Sequence, residues 1–218
     1  LDRTIDLLVL SHPQTDHMQS FPEVLRRYRV NAVLMTGVAY NLARYDKFLT
    51  LIKEQNIPVI IADPAKDIDF GDGLVLDIAW PPPDLFGKKL KEVNNSSVVL
   101  RALYGNHSVL FTGDIEASEE NEVLRSGADL RADIIKVPHH GSRTSSSTGF
   151  LLAIQPEIAV ISVGKDNTYG HPVRDVVERY RQFGAEVRTT MGEGDITMVW
   201  EQDPRPRKED PRKIEDKR

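Results

Sequence analysis

The chain has 218 residues, of which 40% are hydrophobic and 28% charged, enough for one domain with a substantial core. It has no cysteine, so no disulfide staples the fold and any metal must be held by His, Asp, Glu or amide groups. The net charge of −5 gives no basic footprint for nucleic acid, although a bound metal would make its own site more positive, and no run has the length of a membrane span or the make-up of a signal peptide.

Taken in chain order, the apolar run Ile5-Asp6-Leu7-Leu8-Val9-Leu10 predicts a buried strand over 5–10. It runs into His12-Pro13-Gln14-Thr15-Asp16-His17, two imidazoles and a carboxylate in one short loop. A helix is predicted near 20–29, a strand over 30–35, a helix over 42–55 and a short strand over 57–61. The pattern then changes to alternation over 74–80, followed by a long loop from Pro81 to Asn95. Segments 98–104 and 109–112 flank Gly105-Asn106-His107 and read as a hairpin, with His107 as a solvated turn residue. Helices are expected at 116–126, 147–154 and 172–183, and strands at 133–137, 158–163, 185–189 and 195–200. No internal repeat is evident. We treat residues 1–202 as one domain. From Asp203 onward nearly every residue is charged or proline, so 203–218 is expected to be a disordered tail. The chain starts at Leu1 with a strand almost at once, which we read as a piece of something longer, with membrane spans or a targeting signal expected outside it.

The placement of histidine and aspartate carries the functional reading. Apolar runs of strand length end in Gly113-Asp114, in Pro138-His139-His140-Gly141-Ser142, and in Gly164 leading to Tyr169-Gly170-His171-Pro172. With the first motif, five of the six histidines lie just past strand C-termini, the functional edge of an α/β sheet. Divalent metals need several N and O donors converging from a rigid base, and this recurrence supplies them. The competing reading of the first motif alone is turn chemistry, with Asp16 capping the next helix.

The segment Ser11-His12-Pro13-Gln14-Thr15-Asp16-His17 resembles the His-x-His-x-Asp-His signature of the metallo-β-lactamase fold. Within that superfamily the chain is similar to the hydrolase-like domain of ComEC-type competence proteins, which take up DNA across membranes. The stretches Asn94-Asn95-Ser96-Ser97-Val98-Val99-Leu100, Leu110-Phe111-Thr112-Gly113-Asp114, Lys136-Val137-Pro138-His139-His140-Gly141-Ser142-Arg143-Thr144-Ser145 and Val163-Gly164-Lys165-Asp166-Asn167-Thr168-Tyr169-Gly170-His171-Pro172 carry the likeness, from about residue 5 to 200. It implies an α/β fold, an αββα sandwich lacking its N-terminal strands, with a divalent metal centre of one or two Zn or Mn ions at one edge. Two positions depart from the pattern: Gln14 stands where the second His is expected, and Gln19-Ser20 where Gly-Gly is expected. A glutamine amide is a much weaker zinc ligand than imidazole, so the ion using position 14 should bind weakly or not at all.

The resemblance implies that His12 and one of His139 or His140 hold one ion, that Asp16, His17 and His171 hold the other, and that Asp114 bridges. Asp16 would orient the attacking water or take its proton. Lys136, Ser142 and the residues up to Ser147 are candidate phosphate-positioning groups, with helix capping by Ser146 or Ser147 as the alternative. Asn94 and Asn95 are expected to organise their loop, with a site role as the alternative, and Tyr169 beside His171 to pack, with lining of the pocket as the alternative. The functions implied are a phosphodiesterase or nuclease acting on single-stranded DNA, a degenerate DNA-binding module of a membrane channel, or a free-standing small-molecule hydrolase. The expected partners are DNA and the membrane channel domain of the parent protein, which makes this chain a soluble domain of a membrane-associated protein.

Overall fold

In the computed structural model, which describes residues 3–200, the first apolar run is not one strand. It divides into β1 (Thr4–Ile5) and β2 (Leu8–Val9). The predicted strand over 30–35 divides in the same way into β3 (Arg29–Val30) and β4 (Val33–Met35). β1 pairs with β3 and β2 with β4, in separate sheets. Polar residues interrupt both runs at matching positions, and the Asn31 amide donates to Asp6 at 3.0 Å across the break. Between the halves lie α1 (Thr15–Met18), inside the first motif, and α2 (Phe21–Arg27), which ends before the predicted 29.

α3 (Ala43–Glu54) and β5 (Val59–Ile61) complete a parallel three-stranded sheet in the order β2-β4-β5. The remaining strands form a seven-stranded sheet. β6 (Ile68–Asp69), β7 (Leu74–Trp80), β8 (Val99–Tyr104) and β9 (His107–Phe111) run antiparallel. Tyr104 pairs with His107 across the two-residue Gly105-Asn106 turn, so His107 is the first residue of β9 rather than part of the turn. From β9 the sheet continues in parallel through β10 (Ile134–Lys136), β11 (Ile158–Ile161) and β12 (Glu186–Thr189). The crossovers are α4 (Ala117–Arg125), α5 (Thr148–Ile154) and α6 (Arg174–Gln182), as parallel strands require. The short α7 (Thr190–Glu193) follows β12. Residues 195–200 form no strand, correcting that prediction; Trp200 instead stacks on His107, ring centroids 5.0 Å apart. The tail at 203–218 lies outside the described residues. No described helix is long and apolar enough to cross a membrane.

Three apolar clusters define the layers. Met18, Leu25, Phe48 and Ile52 from the first helices pack on Val33 and Met35 of β4. Leu34, on the opposite face of β4, packs with Leu76, Ile78, Val98 and Leu100 of the large sheet. Val123, Phe150, Leu151, Val176 and Tyr180 of α4, α5 and α6 cover Leu110, Ile135, Ala159 and Ile161 on its other face. The order is helices, small sheet, large sheet, helices. The pleat produces it: successive side chains in β4 point to opposite layers, and all three of its residues are buried.

Candidate metal centre

The loops that follow the C-terminal ends of β2 in the small sheet and of β9, β10 and β11 in the large sheet meet at one edge. β2 leads to Ser11 and α1. β9 leads to Gly113-Asp114, where a left-handed turn at Gly113 (φ +53°) reverses the chain against Ser97. A Cβ on Gly113 would lie 2.4 Å from Ser97 Cβ, so only glycine lets the two loops approach this closely. β10 leads to a tight turn, Pro138–Gly141, in which His139 and His140 both adopt positive φ (46° and 53°). Non-glycine residues in this region are strained, and the surrounding structure must hold them there.

Asp16, His17, Asp114 and His140 each offer one ligand atom, all within 4.8 Å of one another. His17 Nε2 lies 3.0 Å and His140 Nε2 3.1 Å from the same oxygen, Asp114 Oδ2. The two imidazole nitrogens are 3.2 Å apart, and Asp16 Oδ2 is 3.4 Å from His140 Nε2. Asp114 is buried and Asp16 largely exposed, so the group opens to solvent on the Asp16 side.

The electrostatics follow from this crowding. Hydrogen bonds to Asp114 and Asp16 raise the His140 pKa to about 9 against the opposing effect of burial. The hydrogen bond from His140 in turn lowers Asp16 to about 2. Burial alone would raise Asp114, but hydrogen bonds from His140 and His17 and the charge of Lys136 hold it far below the usual carboxylate range. His140 Nδ1 donates to the Ser162 carbonyl at 2.7 Å, which fixes that proton and aims Nε2 at the carboxylates. In this state a proton on Nε2 neutralises charge where a cation would also sit.

Lys136 Nζ donates to Asp114 Oδ1 at 3.0 Å and to the Gly113 carbonyl at 2.7 Å. It anchors one carboxylate oxygen and leaves the other to the imidazoles. Ser142 is buried, and its hydroxyl lies 3.1 Å from Thr144 Oγ1. Ser147 accepts from Phe150 N–H and caps α5, the capping alternative of the sequence reading.

His12, His139 and His171 stand outside the four-donor group. The Ser97 hydroxyl donates to Asn94 O at 2.6 Å and accepts from the Asp114 N–H at 2.9 Å. His12 Nδ1 lies 3.1 Å from this hydroxyl and 3.2 Å from that of Ser11. Burial, then the charge of His17, lowers His12 to about 3 and keeps it neutral. Its buried Nε2 has no hydrogen-bond partner. His139 turns to Glu116, Nδ1 to Oε1 3.2 Å, with Asn94 Nδ2 3.5 Å from its Nε2. His171 keeps its buried Nδ1 without a hydrogen-bond partner, while Asn167 latches its backbone through bonds of 2.9 and 2.8 Å. Tyr169, expected to pack, is 82% exposed.

Sequence reasoning passed over Glu116, Ser97 and Glu120. Glu116 sits two residues beyond Asp114, a spacing that was available as a signal. Ser97 was hidden in a loop read as turn chemistry. Glu120 is fully buried and accepts from the Ser146 and Ser147 N–H groups at 2.5 and 2.8 Å, fastening the far end of the His139–Ser147 loop.

Two carboxylates and two imidazoles suit a borderline divalent cation, and the unpartnered His12 Nε2 is a further imidazole nitrogen buried beside His17, ring centroids 4.2 Å apart. The residues present fit a metal. The chain matches the model of the metallo-beta-lactamase superfamily over residues 1–165 and belongs to that superfamily. Within it, the chain is similar to Competence protein ComA of Neisseria gonorrhoeae, with 42% identity over 189 residues covering 86% of this chain and 24% of that protein. It is also similar to ComE operon protein 3 of Bacillus subtilis (strain 168), with 30% identity over 200 residues covering 89% of this chain and 24% of that protein. These relatives are of the ComEC competence type, and the chain spans about a quarter of their length. Among solved structures, CmlA, a diiron beta-hydroxylase from Streptomyces venezuelae, aligns with a TM-score of 0.56 at 16% identity, covering 86% of this chain and 44% of that one. The metallo-beta-lactamase fold protein YhfI from Bacillus subtilis aligns with a TM-score of 0.52 at 15% identity, covering 85% and 74%. At these identities the likeness shows the fold alone.

Proposed function

We propose that this domain is a metal-dependent phosphodiesterase that cleaves single-stranded DNA during competence-type uptake, in a parent protein that also carries a membrane channel. The observation that carries this reading is the convergence of Asp16, His17, Asp114 and His140 within 4.8 Å beside Lys136. Asp16, His17, Asp114 and His140 would hold the ion, Zn or Mn, with the unpartnered nitrogens of His12 and His171 as further candidate donors. A bound ion would lower the pKa of water and stabilise charge on phosphate oxygens.

The chain's own residues supply the rest. Asp16, the exposed carboxylate of the group, is available to orient a water or take its proton. Lys136 has committed two of its three protons, and the third, with its charge, attracts a phosphate. Ser97 holds the Asp114 backbone N–H and Lys136 its carboxylate, so that little reorganisation is needed when substrate arrives. Similarity to competence proteins supports DNA as the substrate over a small molecule.

The test is cleavage of a labelled single-stranded oligonucleotide by Mn- or Zn-loaded protein. Cleavage that is lost in His17→Ala and in chelator is expected. Metal retention without cleavage would overturn the enzymatic reading in favour of a DNA-binding module.

A further inference from the structure

A lone exposed aromatic on a protein surface is ordinary. Tyr169 differs in three respects. Its ring, 82% exposed, is stacked on His171 at 6.0 Å between centroids and 17° between planes. The loop that bears it is latched at its base: the Asn167 side chain donates to Gly164 O and His171 O and accepts from His171 N–H, so the tip is held in place before any ligand arrives. Finally, the rings continue inward. His171 lies 5.8 Å from His139, and His139 lies 6.4 Å from His140, a member of the donor group. A line of four rings runs from the candidate metal centre to solvent and ends in a flat, open tyrosine face.

We infer that Tyr169, backed by His171, is a stacking platform for an unpaired nucleobase of a strand whose phosphate is drawn to Lys136 beside the donor group. The inference rests on nucleic acid being the substrate class and adds to it the recognition of the base. The Lys136 ammonium beside the donor group attracts the phosphate, and a preorganised aromatic face three ring contacts from that group takes a π-surface. A single-stranded nucleotide chain carries both on one backbone. In a duplex the base faces are already stacked and paired, so the platform selects single strands. Stacking reads no base edges, so it selects no sequence.

The test is fluorescence anisotropy of Mn-loaded protein with a short labelled single-stranded oligonucleotide whose linkages resist hydrolysis, so that turnover cannot interfere. Tyr169→Ala should weaken binding about 5- to 150-fold, the range for loss of one stacked base, and Tyr169→Phe should bind like the wild type. An oligonucleotide with abasic sites should bind Tyr169→Ala and wild type alike. Tyr169 is exposed, so its removal leaves the fold intact, and Leu152→Ala, another exposed apolar residue, serves as the control that should change nothing. Equal affinity of Tyr169→Ala and wild type, an equal loss on the abasic strand, or no wild-type binding would each overturn the proposal. Cleavage is assayed separately: Tyr169-dependent binding without cleavage by metal-loaded protein defeats the nuclease reading alone, and cleavage with Tyr169-independent binding defeats this one alone.

Discussion

His140 Nε2 lies 3.1 Å from Asp114 Oδ2, although the two residues leave different strands and sit at the ends of β10 and β9. The parallel pairing of those strands, Ile135 beside Leu110 and Lys136 beside Phe111, sets their C-terminal ends level and makes the contact geometric rather than fortuitous. Asp114→Asn should abolish metal retention. It should also destabilise the metal-free fold by about 3–5 kcal/mol, the cost of stripping a buried partner from charged groups, here Lys136 and His140. Elemental analysis and chemical denaturation check both.

The pKa of His140, raised to about 9 from 6.5, makes the metal-free protein pH-sensitive. A histidine whose folded pKa lies above its unfolded value contributes stability that is fully present below pH 6.5 and lost as pH rises towards 9. Thermal melts in chelator should therefore show Tm falling across that window, and His140→Gln should flatten the slope. Metal affinity should move the other way, rising with pH until His140 has lost its proton.

Ser97→Ala removes the acceptor of the buried Asp114 N–H and one of the two hydroxyls beside His12 Nδ1. It should cost about 1–3 kcal/mol for the unsatisfied donor and about 10- to 100-fold in metal affinity, measured by competition with a chelating dye. Gly113→Ala should be worse for the fold. Its Cβ meets Ser97 at 2.4 Å and its φ is +53°, so overpacking and backbone strain together should cost about 2–4 kcal/mol.

Glu120→Ala should loosen the His139–Ser147 loop. The carboxylate accepts two backbone N–H bonds, and Arg179 reaches the Ser146 carbonyl from the other side at 2.5 Å. A loss of about 3 kcal/mol is expected from two charge-assisted bonds, read by urea denaturation.

Much of the layered architecture was legible because periodicity reports burial. Strands β7 to β11 and helices α3 to α6 fall where apolar spacing placed them, and the Gly105-Asn106 turn fixed the hairpin register. The misreadings have local causes. Asp6 and Asn31 split two apparent strands, because each polar side chain finds its partner in the other rather than in a core. Residues 195–200 alternate like a strand, but alternation without a neighbouring edge does not make one. The choice between His139 and His140 was beyond the sequence, since adjacent identical side chains are separated only by φ and ψ. In the left-handed turn one faces Asp114 and the other Glu116. The resemblance groups His171 with Asp16 and His17; its ring lies outside the four-donor group, 5.8 Å from that of His139.

The central claim is that four side chains from three loops share one cation. The direct measurement is an anomalous difference map from crystals of this domain soaked in Mn or Zn. The account predicts a peak bounded by Asp16 Oδ2, His17 Nε2, Asp114 Oδ2 and His140 Nε2. A well-ordered map with no peak there, or with the ion bound elsewhere on the domain, would contradict it.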